Sequence, residues 1–192
     1  MATFLLSKVL PAVSAETKPH RKWTYRDIKT LPLDQQKEWR KVCLTELDML
    51  RERQVFELVN APSGRKVISN RWVFDVKSNG RKHTRLVAKG FSQIEGIDFD
   101  HIFSPVVRFE MVRLMLALAS LENWHIEGLD VRSAYLYGKL DEEIYMKQHE
   151  GFAVPGQEHK VLHLKRALYG LKQAGLGWWE TLNESMKDLG FE

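Results

Sequence analysis

The chain has 192 residues, with 29 Lys and Arg against 25 Asp and Glu, for a formal charge of +4. That length supports a domain with a real core, and the mild positive balance suits an anionic partner such as nucleic acid without specifying one. The single cysteine, Cys43, excludes an internal disulfide and a cysteine-rich zinc site, so a reducing compartment, cytoplasmic or nuclear, is expected.

Near the start, Val13-Ser14-Ala15 has the small-residue spacing of a signal-peptidase site. No basic residue precedes the apolar run, however, and Lys8 interrupts it, so the protein is not expected to be secreted. No run approaches the ~18 apolar residues of a membrane helix, and residues 1–20 read as a flexible tail. Pro32-Leu33-Asp34 opens a helix with Asp34 as its N-cap. Trp39, Val42, Cys43, Leu47 and Leu50 fall on one face of that helix.

Val55 to Val59 is a short strand closed by a turn at Pro62-Ser63-Gly64. A second strand is expected from Val67 to Lys77, with Trp72, Phe74 and Val76 on one side. Ser78-Asn79-Gly80 then turns the chain, since Asn and Gly tolerate positive φ. Arg81 to Phe91 returns as the partner strand. Arg81, His83, Arg85 and Lys89 share one face and Leu86 and Ala88 the other, which makes a hairpin with one basic side.

Ser104-Pro105 precedes a helix from Arg108 to Leu121 that is apolar on more than one face and is expected to be buried. His125 to Val131 reads as a strand, as do Glu143 to Lys147 and Val161 to Leu164. A last helix begins at or before Gly177 and ends near Leu189, with Gly190 as its stop signal. This order predicts an α+β fold with two lobes, the hairpin lobe ending near Ser104.

Three segments carry candidate chemistry. Asp130 lies in Leu129-Asp-Val-Arg-Ser-Ala-Tyr-Leu136, at the end of an apolar stretch. A carboxylate there can hold a hard cation such as Mg²⁺; on local chemistry alone the favoured reading is that it ends a strand and satisfies backbone amides. On the basic hairpin face, Arg85 offers a forked contact to phosphate and Lys89 a point charge, although an ordinary solvated strand face has the same composition. In Leu168-Tyr-Gly-Leu-Lys-Gln-Ala-Gly175, the small residues around Gly170 admit another backbone or a nucleotide.

Read together and in order, these segments resemble a family. The blocks are Phe56 to Val59, Trp72 to Phe74, Arg85 to Phe91, Gly96 to Phe99 and Phe103 to Arg108, then Asp130 to Leu136, Asp141 to Met146 and Leu168 to Ala174. Over residues 21–192 they resemble the copia-type retrotransposon reverse transcriptase domain. The resemblance implies a partial right-hand polymerase, fingers plus an incomplete palm, with residues 21–104 mostly fingers and 105–192 the start of the palm. It implies an RNA or DNA template–primer and a deoxynucleoside triphosphate as partners, two Mg²⁺ ions as cofactors, and no membrane. By the same likeness Asp130 is the first metal carboxylate, and Val131 lends its carbonyl to a cation. Ser133 and Ala134 present backbone N–H groups to the triphosphate, and Tyr135 lies under the sugar. Arg85 and Lys89 hold the triphosphate from the fingers, and Gly170 and Lys172 flank the incoming nucleotide.

This chain departs from the family pattern at His83, where Lys is usual, at Tyr137, where Asn is usual, at His149, where Pro is usual, and at Gly175-Leu176, where Pro-Arg is usual. The family's Tyr-Val-Asp-Asp hairpin, which supplies the remaining metal carboxylates, would follow Phe191, and no Asp-Asp pair occurs in the sequence. One carboxylate does not fix two cations, so the isolated chain is expected to be inactive as a polymerase. An incomplete palm would also expose a sheet edge and apolar surface, a route to association. A non-catalytic nucleic-acid-binding module using the basic hairpin is the alternative, as is a subunit completed by a second polypeptide.

Overall fold

A computed structural model describes residues 23–191; the expectations for a tail and a leader concern residues outside that range. The first element, α1 (Tyr25–Lys29), is a single turn held by a capping box. Asp27 N–H donates to Thr24 Oγ1 at 3.3 Å, and Thr24 N–H donates to Asp27 Oδ2 at 2.8 Å. Helix α2 (Leu33–Glu52) follows, and its N-cap is Pro32, not Asp34. Proline's fixed φ sets the entry angle, while Asp34 sits in the first turn and caps no N–H.

α2 buries Trp39, Cys43, Leu47 and Leu50, four of the five residues in the stripe its spacing predicts; the fifth, Val42, is only partly buried. That stripe packs on one face of a hairpin made by β3 (Asn70–Val76) and β4 (Lys82–Ala88). Trp39 meets Phe74 edge-on at 5.3 Å, and Lys82 lies over the Trp39 ring while pairing with Glu38. Trp72, Phe74, Thr84, Leu86 and Ala88 are buried in the contact, but Val76, near the turn, is half-exposed. Cys43 lies at the bottom of it, and burial pushes its thiol up to about 12.

A four-stranded sheet forms the other half of the core. β1 (Phe56–Val59), β2 (Val67–Ile68), β5 (Lys139–Met146) and β6 (Val161–Arg166) lie in the order β1-β6-β5-β2. Strands from both sides of Ser104 therefore share one sheet. The expected continuous strand from Val67 to Lys77 is broken at Ser69: β2 pairs parallel with β5, while β3 pairs antiparallel with β4. Asn70 fastens the junction, its side-chain N–H donating to the Lys147 carbonyl at 2.7 Å. The strand expected from Arg81 to Phe91 likewise stops at Ala88, and a 3-10 turn occupies Gly90–Ser92.

Two expectations fail in the middle of the chain. Helix α3 (Phe109–Leu121) forms, but among its residues only Ala119 is buried; Phe109, Met111, Leu114, Met115 and Leu116 are each about half-exposed or more. No element among the described residues covers it. Residues 125–131 run without a ladder partner, so the expected strand is absent; backbone N–H and C=O groups need a neighbouring strand to make one. Leu129 is 93% exposed. The chain then tightens into a 3-10 turn at Ala134–Tyr137, which buries Leu136. Helix α4 (Ala174–Asp188) closes the fold, and Gly190 after it has φ +86°, as its stop signal requires. No helix among residues 23–191 is long and apolar enough to cross a membrane.

Candidate functional site

The basic face of the hairpin opens onto a cavity of about 490 Å³. β4 alternates, so Leu86 and Ala88 point into the core while His83 and Arg85 point away from it. Lys77, Arg81, His83 and Arg85 line one side of the cavity, and Asp130, Val131, Arg132 and Ser133 bring a second segment to it. Glu46 of α2 and Tyr169 complete the lining. Four permanent cations thus meet two carboxylates, Glu46 and Asp130, and the balance favours an anion.

The free edge of β4 explains how these parts stay together. The hairpin has only two strands, so alternate N–H groups of β4 point off its outer edge. Leu86 N–H donates to Glu46 Oε1 at 3.3 Å, Ala88 N–H to the Tyr169 carbonyl at 2.7 Å, and Gly90 N–H to the Gly170 carbonyl at 3.1 Å. The edge is capped by one side chain and two loop carbonyls rather than by a strand. Burial raises the Glu46 carboxyl above its ordinary value, and the Leu86 N–H and Arg85 partly offset that. Tyr169 in turn receives the Arg85 guanidinium over its ring at 5.7 Å.

A buried amide cluster locks the loop after the hairpin to the segment before α4. Gln93 donates to Gln173 Oε1 at 2.9 Å and accepts from Lys172 N–H at 2.8 Å. Gln173 donates to the Asp98 carbonyl at 2.8 Å. Buried polar groups satisfied in this way hold one geometry.

Of the residues singled out by sequence, Arg85, Asp130, Val131 and Ser133 line the cavity together. Ser133 adopts a left-handed conformation, φ +55°, just before the 3-10 turn that contains Ala134 and Tyr135. The Tyr135 ring meets Tyr169 edge-on at 5.3 Å. Lys89 anchors the hairpin end, its N–H donating to the Ser69 carbonyl at 2.8 Å. The close approach permitted at Gly170 is to protein backbone: a Cβ there would lie 2.3 Å from the Ala88 carbonyl oxygen. The Lys172 ammonium lies 4.2 Å from the Phe99 ring centroid. Lys89, Ala134, Tyr135, Gly170 and Lys172 do not line the cavity itself. Asp130 is exposed and ends a partnerless segment rather than a strand. Among the described residues no group of three or more His, Cys, Asp or Glu side chains is placed to hold a metal ion.

Glu46, Arg132 and Tyr169 were not picked out from the sequence. Arg132 and Tyr169 sit inside blocks that were. Glu46 sits forty residues from its strand partner, and nothing local announces the contact.

Cations from a hairpin share an open cavity with an exposed carboxylate, and their chemistry suits contact with anionic oxygens. The profile of the reverse transcriptase (RNA-dependent DNA polymerase) family matches residues 53–192, and the chain belongs to that family. It is 45% identical over 147 residues to the retrovirus-related Pol polyprotein from transposon TNT 1-94 of Nicotiana tabacum, which covers 74% of this chain and 11% of that one. It is 35% identical over 159 residues to the Pol polyprotein from transposon RE1 of Arabidopsis thaliana, covering 80% of this chain and 11% of the relative. A Ty1-BL Gag-Pol polyprotein of Saccharomyces cerevisiae is 35% identical over 129 residues, 67% of this chain and 7% of its own. The chain thus spans about a tenth of the length of these curated relatives. No solved structure matches it.

Proposed function

We propose that this chain is the fingers and the start of the palm of an RNA-directed DNA polymerase, and that its cavity receives the triphosphate of an incoming deoxynucleotide. The observation that carries this reading is the shared cavity of Arg85, Lys77 and Arg81 with Asp130 and Ser133. Arg85 makes forked contacts to phosphate oxygens, and Lys89 adds long-range attraction from the hairpin end. Ser133 and Ala134 offer backbone N–H groups. Tyr135 packs under the sugar, and Gly170 and Lys172 hold the loop beside the nucleotide. The substrates are a template–primer of RNA or DNA and a deoxynucleoside triphosphate. The exposed apolar face of α3 is, on this reading, a palm surface through which the chain associates.

The donor set suits one divalent cation shared with substrate phosphates, because Mg²⁺ takes few protein ligands and retains water. Asp130 and the Val131 carbonyl would hold it, and it would neutralise charge on the phosphates. These residues do not by themselves fit a pair of cations, since a two-ion site needs further carboxylates. Primer extension by the purified 192-residue chain with Mg²⁺ is therefore expected to be absent; robust DNA synthesis would overturn that expectation.

Nucleotide binding needs less than catalysis and tests the site directly. Arg85→Ala is expected to weaken dATP binding by about ten- to a hundredfold, from the loss of charge-assisted hydrogen bonds. Asp130→Asn is expected to remove the gain in affinity that Mg²⁺ brings over chelator. Equal dATP affinity in wild type and Arg85→Ala would sink the proposal. Salt-sensitive binding to RNA with no response to dATP would instead favour a nucleic-acid-binding module built on the hairpin.

A further inference from the structure

One group lining the cavity is an imidazole, a side chain whose charge depends on pH. Beside the basic side chains of Lys77, Arg81, Arg85 and Arg132 stands His83, whose ordinary value is 6.5. We infer that His83 is a proton-dependent specificity residue for polyphosphate, so that uptake of a triphosphate by this cavity is coupled to uptake of a proton on the His83 ring. The inference rests on the nucleotide-binding reading above and adds a regulation to it.

The geometry supplies the coupling. His83 sits half-buried on the cavity side of β4, two residues from Arg81 and two from Arg85. Asp75 lies directly across the ladder from it. Glu46 faces the same space from α2, and Asp130 and Arg132 face it from the segment after α3. With the cavity empty of anions, the surroundings disfavour the imidazolium: burial acts first, then Arg85, Lys77 and Arg81, with Asp75 opposing them.

A triphosphate reverses that balance. Its oxygens neutralise the three flanking cations and accept hydrogen bonds from the ring N–H groups, so the bound state favours the charged ring. Linkage then requires the converse: a protonated His83 raises affinity for the anion. If the anion raises the ring's proton affinity tenfold, acid conditions raise anion affinity about tenfold. The terminal phosphate of a nucleotide, with its second pKa near 6, responds with the opposite sign, because cations favour its loss of a proton. The two contributions are therefore separable.

The test is calorimetric titration of the full chain with dATP and with inorganic tripolyphosphate, without divalent cation, from pH 5.5 to 8.0. His83→Gln serves as the reference that cancels ligand titration and any response of Glu46. Wild type should exceed His83→Gln by about tenfold in affinity at pH 5.5 and match it within about twofold at pH 8.0. His83→Lys should bind tightly across the range and show no proton uptake near pH 6. A second measurement needs no variant to fold: the His83 ring titration in wild-type NMR spectra should move upward when tripolyphosphate is added.

A ratio of wild type to His83→Gln that stays flat with pH, or an unmoved ring titration despite binding, overturns this inference and leaves the polyphosphate site standing. Absence of binding by every form at every pH overturns the site and the inference together.

Discussion

Gly170→Ala is expected to destabilise the chain by about 3 kcal/mol and to abolish dATP binding. Two causes add. Gly170 has φ +88°, a conformation that costs an L side chain about 1–2 kcal/mol. The added Cβ would also lie 2.3 Å from the Ala88 carbonyl oxygen and 2.6 Å from Val87 Cγ1. The first of these atoms is backbone in a paired strand and moves only if the hairpin moves. Movement would break the bonds from Ala88 N–H to the Tyr169 carbonyl and from Gly90 N–H to the Gly170 carbonyl. Those bonds hold the basic hairpin beside Tyr169, so the cavity would open with them. Gly156→Ala is the control, because Gly156 has φ +77° and nothing lies within 4 Å of a Cβ there. Urea denaturation should show the larger loss for Gly170→Ala; equal losses would mean that the backbone clash carries no weight.

The second large effect is on stability as a function of pH. His149 is 5% exposed and packs edge-on against Phe56 at 5.3 Å and Trp72 at 6.2 Å. Its Nδ1 is buried with no hydrogen-bond partner. Burial, with Arg51 adding to it, lowers the ring from 6.5 to about 4, so the folded chain keeps it neutral. Below pH 6.5 the unfolded chain gains a proton that the folded chain refuses. Stability is therefore full above pH 6.5 and is lost as pH falls toward 4, by about 3 kcal/mol across the window. His149→Phe keeps an aromatic ring and removes the titration. Thermal melts of that variant should lack most of the decline between pH 6.5 and pH 4, and an unchanged decline would assign the acid sensitivity elsewhere.

The sequence resolved most elements because their information is local. The stripe of Trp39, Cys43, Leu47 and Leu50, the Asn79-Gly80 turn and the stop at Gly190 need only periodicity and backbone sterics. The same alternation marked Arg81, His83 and Arg85 as one basic face. Local pattern also misled, and in one consistent way. α3 is apolar on several sides and read as buried, and residues 125–131 read as a strand. Periodicity reports which side chains would profit from a partner, not whether a partner is present. Asp34 looked like a cap because caps are recognised by residue type, yet Pro32, with its constrained φ, starts the helix.

From its residues alone the chain disclosed an α+β make-up, a basic hairpin, a lone carboxylate in an apolar segment and, through the order of its blocks, its family. Only the tertiary structure decided that hairpin and carboxylate share a cavity, that Glu46 and the carbonyls of Tyr169 and Gly170 cap the edge of β4, and that α3 lies uncovered. The reason is separation along the chain. A hydrogen bond between residues 46 and 86, or 88 and 169, leaves no trace in local composition, because either partner satisfies its own sequence neighbourhood without the other.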